Sequence, residues 1–483
     1  MLIRRTTLTS RLAWLGTGAA AAALVLSAAT LTMGCGRTPD FGPRPPIPNL
    51  PSLELVPVFT QTVNNDIDIV FMIDNSGSMK AEQDNLRRNF PAFTRVLKDL
   101  PQGLPNVHIG VVSSDLGAGM FKNVSGCGLG DGGRFQNTPR AAGCTGPRGS
   151  YISAVGSVQN FDGDIDDVFS CIAALGTNGC GFEHQLQSVR VALDPDLMPV
   201  ENRDFLREEA LLAIVLLTDE DDCSAPPDTT LFDPSDAASM TLGPLASFRC
   251  NQFGHICDGG PPLMPAANLQ NCHSAEDGRL VRISELISFF KGLKADPNDV
   301  IVAAITGPAS PYSVVDVSVP TRGGGVELET QIAHSCISDT GGADPAVRIQ
   351  QFVNAFGNNG IFLSICAADL TPAMQQIGSQ LARRASLECL DGPVADIDAK
   401  TAGLQPHCQV YDETGHAGAT LREAIPACTT TITPPCWRLE ESTKCLASGL
   451  RMVVDRGGLA PPSGTRLNVA CETCADPSDS RCK

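Results

Sequence analysis

Short apolar, β-branched runs alternate with stretches of helical period along most of this 483-residue chain, and that order restricts the fold more than any other feature. The runs are DIDIVFMI (66–73), NVHIGVVSS (106–114), EALLAIVLLTD (209–219), DVIVAAITG (299–307) and GIFLSICAAD (360–369). They are apolar at successive positions rather than at every second one, as strands covered on both faces are. Between them, the stretch from Met79 to Leu100, FEHQLQSVRVAL (182–193), LVRISELISFFKGLK (280–294), AVRIQQFVNAF (346–356) and TPAMQQIGSQLARR (371–384) read as helices. The alternation predicts an α/β fold, a doubly wound and mostly parallel sheet flanked by helices. Such sheets bind ligands outside the carboxyl ends of their strands. Function is therefore sought first in the residues that follow each run.

Two of these ends carry unusual residues. IVFMIDNSGSMK (69–80) leaves its strand through Asp74, Ser76 and Ser78, and a tight turn sets such alternate side chains on one side of a loop. One carboxylate and two hydroxyls form an all-oxygen, low-charge ligand set that suits Mg2+ and is acceptable to Ca2+ or Mn2+. Asp and Ser at this place also suit the capping of the helix that begins near Met79. In IVLLTDEDDCS, Asp219 ends a second strand, with Glu220, Asp221 and Asp222 behind it. Four adjacent acids repel one another unless water or a cation intervenes. A solvated acidic turn is the plainer reading, but the two stretches together favour a divalent cation.

These residues resemble the von Willebrand factor A (VWA) domain, a Rossmann-like α/β fold. Its metal-ion-dependent adhesion site takes Asp-x-Ser-x-Ser from one loop, a threonine from a second and an aspartate from a third. DNSGS matches the first loop as Asp74, Ser76 and Ser78, and LLTDE matches the third as Asp219, with Glu220 where the family often has glycine. GTNGCGFEHQL precedes a helix in the right order, so the resemblance implies Thr177 for the second loop, with Cys180 bonded nearby. It covers roughly 65–386 and implies a domain over 61–388 with disulfide-rich insertions near 115–175 and 223–278. It also implies an open coordination position on the ion, completed by an acidic side chain of a protein or extracellular-matrix partner. VHIGVVSSDLGAG, GCGFEHQL, LLTDEDDCS and VAAITGP further resemble secreted or lipid-anchored VWA proteins of myxobacteria and related Gram-negative bacteria.

The expected function is thus metal-ion-dependent, adhesion-type ligand binding without catalysis. Two alternatives stay open. One is a structural envelope protein in which the metal only staples the fold. The other is a metal-dependent hydrolase in which Asp219, Glu220 and Asp221 help an ion polarise a phosphoryl or acyl oxygen. Against hydrolysis, no histidine adjoins either loop, and NSGSM lacks the Gly-x-Ser-x-Gly elbow.

The chain's ends suggest where it works. Arg4, Arg5 and Arg11 flank or precede an uncharged apolar stretch that closes on LTMGC, so residues 1–34 read as a targeting segment. LTMGC resembles a bacterial lipoprotein signal with Cys35 as the lipidated residue, although Thr32 stands where leucine is usual. Gly36 in place of aspartate resembles the outer-membrane sorting pattern. The expected location is the cell outer membrane by a lipid anchor, with periplasmic or secreted as alternatives; an uncleaved membrane anchor is a further reading. Residues 35–60 form a proline-rich spacer.

Removing Cys35 from 19 cysteines leaves 18, enough for nine disulfides in an oxidising compartment. Cys223, Cys250, Cys257 and Cys272 would fasten the second insertion, and 389–483 reads as a small cysteine-rich, β-rich module with strands in GLRMVVDRGG and GTRLNVACET. With 53 Asp+Glu against 35 Lys+Arg, a nucleic-acid partner is excluded, because phosphate binding wants a basic surface. Asp162, Asp164 and Asp166 have calcium-loop spacing, but Asp167 and Ala173 stand where such a loop needs Gly and Glu. His184 is expected on a helix surface.

Overall fold

The computed structural model describes residues 58–473, apart from 101–102, 141–142, 321–323, 340, 386–388, 391–392, 399, 402, 417–418, 443–444, 446–448, 458–460 and 462–463. The targeting segment 1–34, Cys35, the spacer as far as Pro57, Cys474 and Cys482 lie outside the described residues.

In chain order, β1 (Val58–Asn64), β2 (Asp66–Ile73), α1 (Lys80–Lys98) and β3 (Asn106–Ser113) come first. They are followed by β4 (Ile152–Val155), β5 (Val158–Gln159), α2 (Ile165–Ile172), α3 (Gln185–Leu193) and β6 (Leu211–Leu217). The next segment holds α4 (Asp236–Leu242), α5 (Phe248–Gly254) and the short strands β7 (His255–Ile256), β8 (Ala266–Leu269) and β9 (His273–Ser274). Then come α6 (Ile283–Lys291), β10 (Val300–Thr306), β11 (Tyr312–Pro320), β12 (Val326–Ile332), β13 (Cys336–Ile337) and β14 (Gly342–Ala343). Helix α7 (Val347–Asn354), β15 (Gly360–Ser364) and α8 (Thr371–Ala385) complete the α/β part. The C-terminal strands are β16 (Cys408–His416), β17 (Ala419–Ala424), β18 (Cys436–Glu441), β19 (Leu450–Asp455) and β20 (Thr465–Glu472).

A seven-stranded sheet in the order β15-β10-β6-β2-β3-β4-β5 forms the centre. Its strands from β15 to β3 are mutually parallel, and β4 and β5 add an antiparallel edge. The α/β class and the mostly parallel sheet read from sequence are therefore present. Alternation along β2 explains the two helical layers. Ile67, Ile69, Phe71 and Ile73 face α1, α2 and α8, where Phe71 meets Phe90, Phe93 and Phe169 edge-on or tilted. Val70 and Met72 face the other way, onto Leu186 and Val189 of α3, Leu286 and Phe290 of α6 and Phe352 of α7. Each such buried side chain contributes about 1.5–3 kcal/mol by removal from water. Truncation of Phe71 would leave a hole at the junction of three elements.

Two segments read as insertions differ in kind. The stretch after β3 supplies β4 and β5 and so completes the sheet edge; these strands are short and half-exposed, and carry no continuous apolar run. The stretch after β6 is fastened by Cys223–Cys250 and Cys257–Cys272, as its four cysteines suggested. The C-terminal part is β-rich and cross-linked by Cys389–Cys445, Cys408–Cys471 and Cys428–Cys436. Its strands 450–455 and 465–472 do not pair with each other across the proline-containing connection. β19 pairs with β18, whereas β20 lies between β16 and β1, so the strand just before the α/β part belongs to the C-terminal sheet. In all, eight disulfides are found among the described residues, as in a chain matured in an oxidising compartment. No helix among the described residues is long and apolar enough to cross a membrane.

Candidate functional site

The strand order reverses at β2, with β3 on one side and β6 on the other, so the crevice at its carboxyl end is the sheet's switch point. Parallel pairing sets Ile73 beside Leu217 and Ser113, which brings Asp74, Ser114 and Thr218 level with one another as the three strands end. Asp74 is fully buried. Its Oδ1 accepts from the Ser76 amide at 2.8 Å and the Ser114 hydroxyl at 3.1 Å, and its Oδ2 accepts from Thr218 Oγ1 at 2.6 Å. Gln185 Nε2 donates to Thr218 Oγ1 in turn, at 3.1 Å. The carboxylate is thus held by donors from all three strand ends.

Ser76 is buried and Ser78 is exposed, and their hydroxyls stand 3.4 Å apart. Ser78 also lies close enough to Asp219 to favour its ionised form, and Asp219 is buried, with an Oδ1 that has no hydrogen-bond partner among the described residues. The sequence-derived residues Asp74, Ser76, Ser78 and Asp219 therefore meet at one place, open to solvent at Gly77 and Ser78. Thr177 is half-buried in the neighbouring loop. That loop is tied down by Gln83, which spans Asp74 O and Gly176 O at 2.7 and 2.9 Å, and by the Gly179 amide on Asn75 O. A Cβ on Gly179 would fall 2.3 Å from Asn75 Oδ1, so only glycine lets the two loops approach. The Cys127–Cys180 bridge fixes the next residue. No hydrogen bond of the Thr177 hydroxyl occurs among the described residues.

The carboxylate that this segment sends to the site is Glu183, which the sequence reading passed over. It is 1% exposed and sits directly before α3, beside Glu220. Burial raises its carboxyl well above the usual range, and the charges of Glu220 and Asp74 raise it further. Burial, then Asp344 and Asp219, does the same to Glu220. Asp219 is pushed up to about 7 by burial and the Asp74 charge, and Asp74 is raised by burial against its hydrogen bonds. All four behave as carboxylates crowded together without a Lys or Arg ion pair among the described residues, and the one imidazole that feels Asp219, His334, is bonded to Asp344. A signal for Glu183 did exist: it follows Phe182 and precedes Leu186 in a stretch with no Lys or Arg between Arg148 and Arg190.

The other two acids of the run go elsewhere. Asp221 accepts from His255 Nε2 at 2.8 Å and from the first amides of α7, Arg348 N at 2.7 Å and Ile349 N at 3.0 Å. Burial pushes its carboxyl up, but His255 and these amides bring it below the usual range. Asp222 forms a fully buried ion pair with Arg348 at 3.0 Å and caps α3 through the Leu186 amide. The expectation that a cation relieves all four adjacent acids thus holds for neither Asp221 nor Asp222, whose relief comes from His255, Arg348 and helix amides. A small cavity lined by Glu220, Asp221, Asn251, His255 and Asp344 touches neither Asp74 nor Asp219.

His184 is buried rather than at the helix surface. Its Nε2 faces Gly117 O and its Nδ1 the Ala225 amide, and burial lowers its pKa to about 4. Asp164 caps α2, and Asp166 accepts from Thr94 and Lys98, so the calcium-like spacing serves caps and ion pairs. Asp115 caps its own turn through the Gly117 amide. Among the described residues, no three His, Cys, Asp or Glu side chains already stand as a ligand set for a metal. A cation here would draw on the hydroxyls as well as the acids.

No protein-family model matches the chain, and no curated protein matches it. Similar solved structures include the human COPII-coat protein Sec24c, at 10% identity and TM-score 0.26 over 85% of this chain and 39% of that one. Another is the three N-terminal domains of the type V pili tip protein Mfa5 from Porphyromonas gingivalis, at 11% identity and TM-score 0.23 over 86% of this chain and 62% of that one. The chain spans less than two thirds of either. What the fold and the site define is an α/β protein with a buried acidic cluster at its switch point.

Proposed function

We propose that this chain is a VWA-type binding module of the cell envelope, holding one divalent cation between Asp74, Ser76, Ser78 and Asp219. A carboxylate of a protein or matrix partner would complete the ion's open position. One observation carries the reading: a fully buried Asp74, two facing hydroxyls and an Asp219 oxygen without a partner converge beside the solvent-exposed Ser78. Charges taken out of water need a partner charge or ligand, and a hard cation with oxygen ligands is the fitting one. When bound, such an ion supplies a Lewis-acid centre for an incoming anion. The chain's own part is orientation: Ser114 and Thr218 hold Asp74, and the Gly179 loop holds Asn75.

Binding is preferred to hydrolysis because His184 and His255 each have both ring nitrogens occupied, which leaves neither as a base for Ser76 or Ser78. Lipid anchorage through Cys35 at the outer membrane belongs to the same proposal; the eight disulfides support an exported chain but do not bear on the anchor. Isothermal titration of the chelator-treated protein with Mg2+, Ca2+ and Mn2+ tests the reading. One ion per chain is expected, with Asp74→Ala losing it while circular dichroism shows an unchanged fold. Absence of any binding by the folded wild type would sink the proposal. A second reading, an ion that only staples the fold, is favoured by the extra negative charge of Glu183 and Glu220. Ion-dependent capture of a ligand by the folded protein separates the two.

A further inference from the structure

We infer that Glu183, not Thr177, is the second-loop ligand of this site, and that this third carboxylate turns the ion preference from Mg2+ to Ca2+. The inference rests on the metal-binding reading above. Glu183 is held in place from both sides: the amide of the next residue, His184, bonds Ser114 O, and the Cys223 amide bonds Glu183 O, each at 2.9 Å. Ser114 and Thr218, whose hydroxyls grip the two oxygens of Asp74, are reached from this same turn, the first by the His184 amide and the second by Gln185. The backbone that carries Glu183 is therefore latched to both groups that position the first-loop aspartate.

Two independent observations point to a missing cation. Glu183 Oε1 is buried with no hydrogen-bond partner among the described residues, as is Asp219 Oδ1. Among the described residues no Lys or Arg forms an ion pair with Asp74, Glu183, Asp219 or Glu220, although Asp222, in the same run, is given a buried arginine. A chain that supplies a guanidinium to one buried acid and none to its neighbours leaves them for a charge that is not part of the chain. Thr177 is half-buried, in a loop tied down through Gly176 and Gly179, and no hydrogen bond of its hydroxyl occurs among the described residues. Binding would draw Glu183 away from Glu220 and leave that partner, half-buried, to solvent.

Charge and coordination number then decide the metal. Mg2+ is usually held by one or two carboxylates and keeps several waters in a strict octahedron, whereas Ca2+ takes six to eight oxygens in flexible geometry and tightens with carboxylate count. Three carboxylates, once Glu183 turns from Glu220 to join Asp74 and Asp219, and two hydroxyls match the second pattern.

The experiment is calorimetric titration of the chelator-treated, disulfide-intact protein with Ca2+ and with Mg2+ in parallel, on wild type, Glu183→Gln, Glu183→Asp and Thr177→Val. Wild type is expected to bind Ca2+ about tenfold or more tightly than Mg2+. Glu183→Gln should lose about tenfold or more in Ca2+ affinity and narrow the Ca2+/Mg2+ ratio, Glu183→Asp should fall between, and Thr177→Val should match wild type. Thermal melts in chelator check folding, and Glu183→Asp keeps the test usable if the Gln variant misfolds. Wild-type Ca2+ affinity in folded Glu183→Gln, or loss confined to Thr177→Val, overturns the inference and leaves the metal reading standing. Wild type that binds neither ion overturns both.

Discussion

At the end of β6 four acids in succession divide between two regions that treat the same chemistry in opposite ways. Asp221 and Asp222 turn toward α7 and α3, where His255, Arg348 and helix amides neutralise them in a dry interior. Asp219 and Glu220 turn toward Asp74 and Glu183, where acids meet acids and burial raises every carboxyl. The first region is complete within the chain, and its charges tie the long segment after β6 to the sheet. The second finds no such partner among the described residues, and unrelieved repulsion at a switch point supports the binding site proposed above. One run of acidic residues therefore contains both an anchor and the proposed site, and only the partners tell them apart.

Breaking the anchor has the largest expected effect. Asp222→Ala leaves Arg348 buried without its counter-charge and removes the cap on α3, so a loss of about 3–5 kcal/mol is expected by urea denaturation. A change under about 1 kcal/mol would mean that water enters and solvates Arg348. In the site the sign reverses. Asp219→Asn removes a charge that repels Asp74, so the chelated protein should gain about 1–3 kcal/mol near neutral pH while it loses affinity for the ion. A destabilised Asp219→Asn variant in chelator would show that Asp219 is already neutralised by the chain, and the contrast between the two regions would fail.

The sheet was legible in the sequence because its inner strands are covered on both faces and read as continuous apolar runs; 66–73 is found as a strand with those bounds, and 106–114 and 209–219 contain β3 and β6. Helices with one apolar stripe, such as 280–294 around α6, were legible for the same kind of reason. What escaped depended on distant partners. VFTQTVN (58–64) is rich in strand formers, but nothing in it announces that its neighbour is β20, about four hundred residues on. The hairpin of β11 and β12 has alternating residues and no long apolar run, and it went unassigned. At the site, Asp74 and Asp219 were readable because each ends a strong strand. The fates of Asp221 and Asp222 were not, since His255 and Arg348 lie outside any local pattern. Glu183 was missed because an acid at a helix start ordinarily reads as a favourable solvated charge; only its burial among other acids shows otherwise.

The smallest expected effect sharpens the contrast most, because the two regions should respond to pH with opposite slopes. Asp219 is raised to about 7 in the folded chain, while the unfolded chain ionises it in the ordinary carboxylate range. Between those values the folded state holds a proton that the unfolded state has released. Stability from this group is therefore present in acid and lost as pH rises toward about 7, by about 1 kcal/mol per pH unit for one proton. Asp74, Glu183 and Glu220 are shifted in the same direction. Asp221 is shifted down, so its contribution is present above the ordinary carboxylate range and is lost as pH falls through its lowered value. Asp68, pushed up to about 6 by burial despite Arg207, adds a slope of the first kind from outside the site. Denaturation of the chelated protein between about pH 5 and 7 should therefore show falling stability, with a shallower slope in Asp219→Asn and the Asp68 share unchanged. Saturating Ca2+ should reverse the site's share, because an ion that binds only the ionised carboxylates stabilises the folded chain more as protons leave. Equal slopes for wild type and Asp219→Asn in chelator would show that Asp219 is not among the repelling acids of the folded chain, and would remove the electrostatic reason for placing a cation beside it.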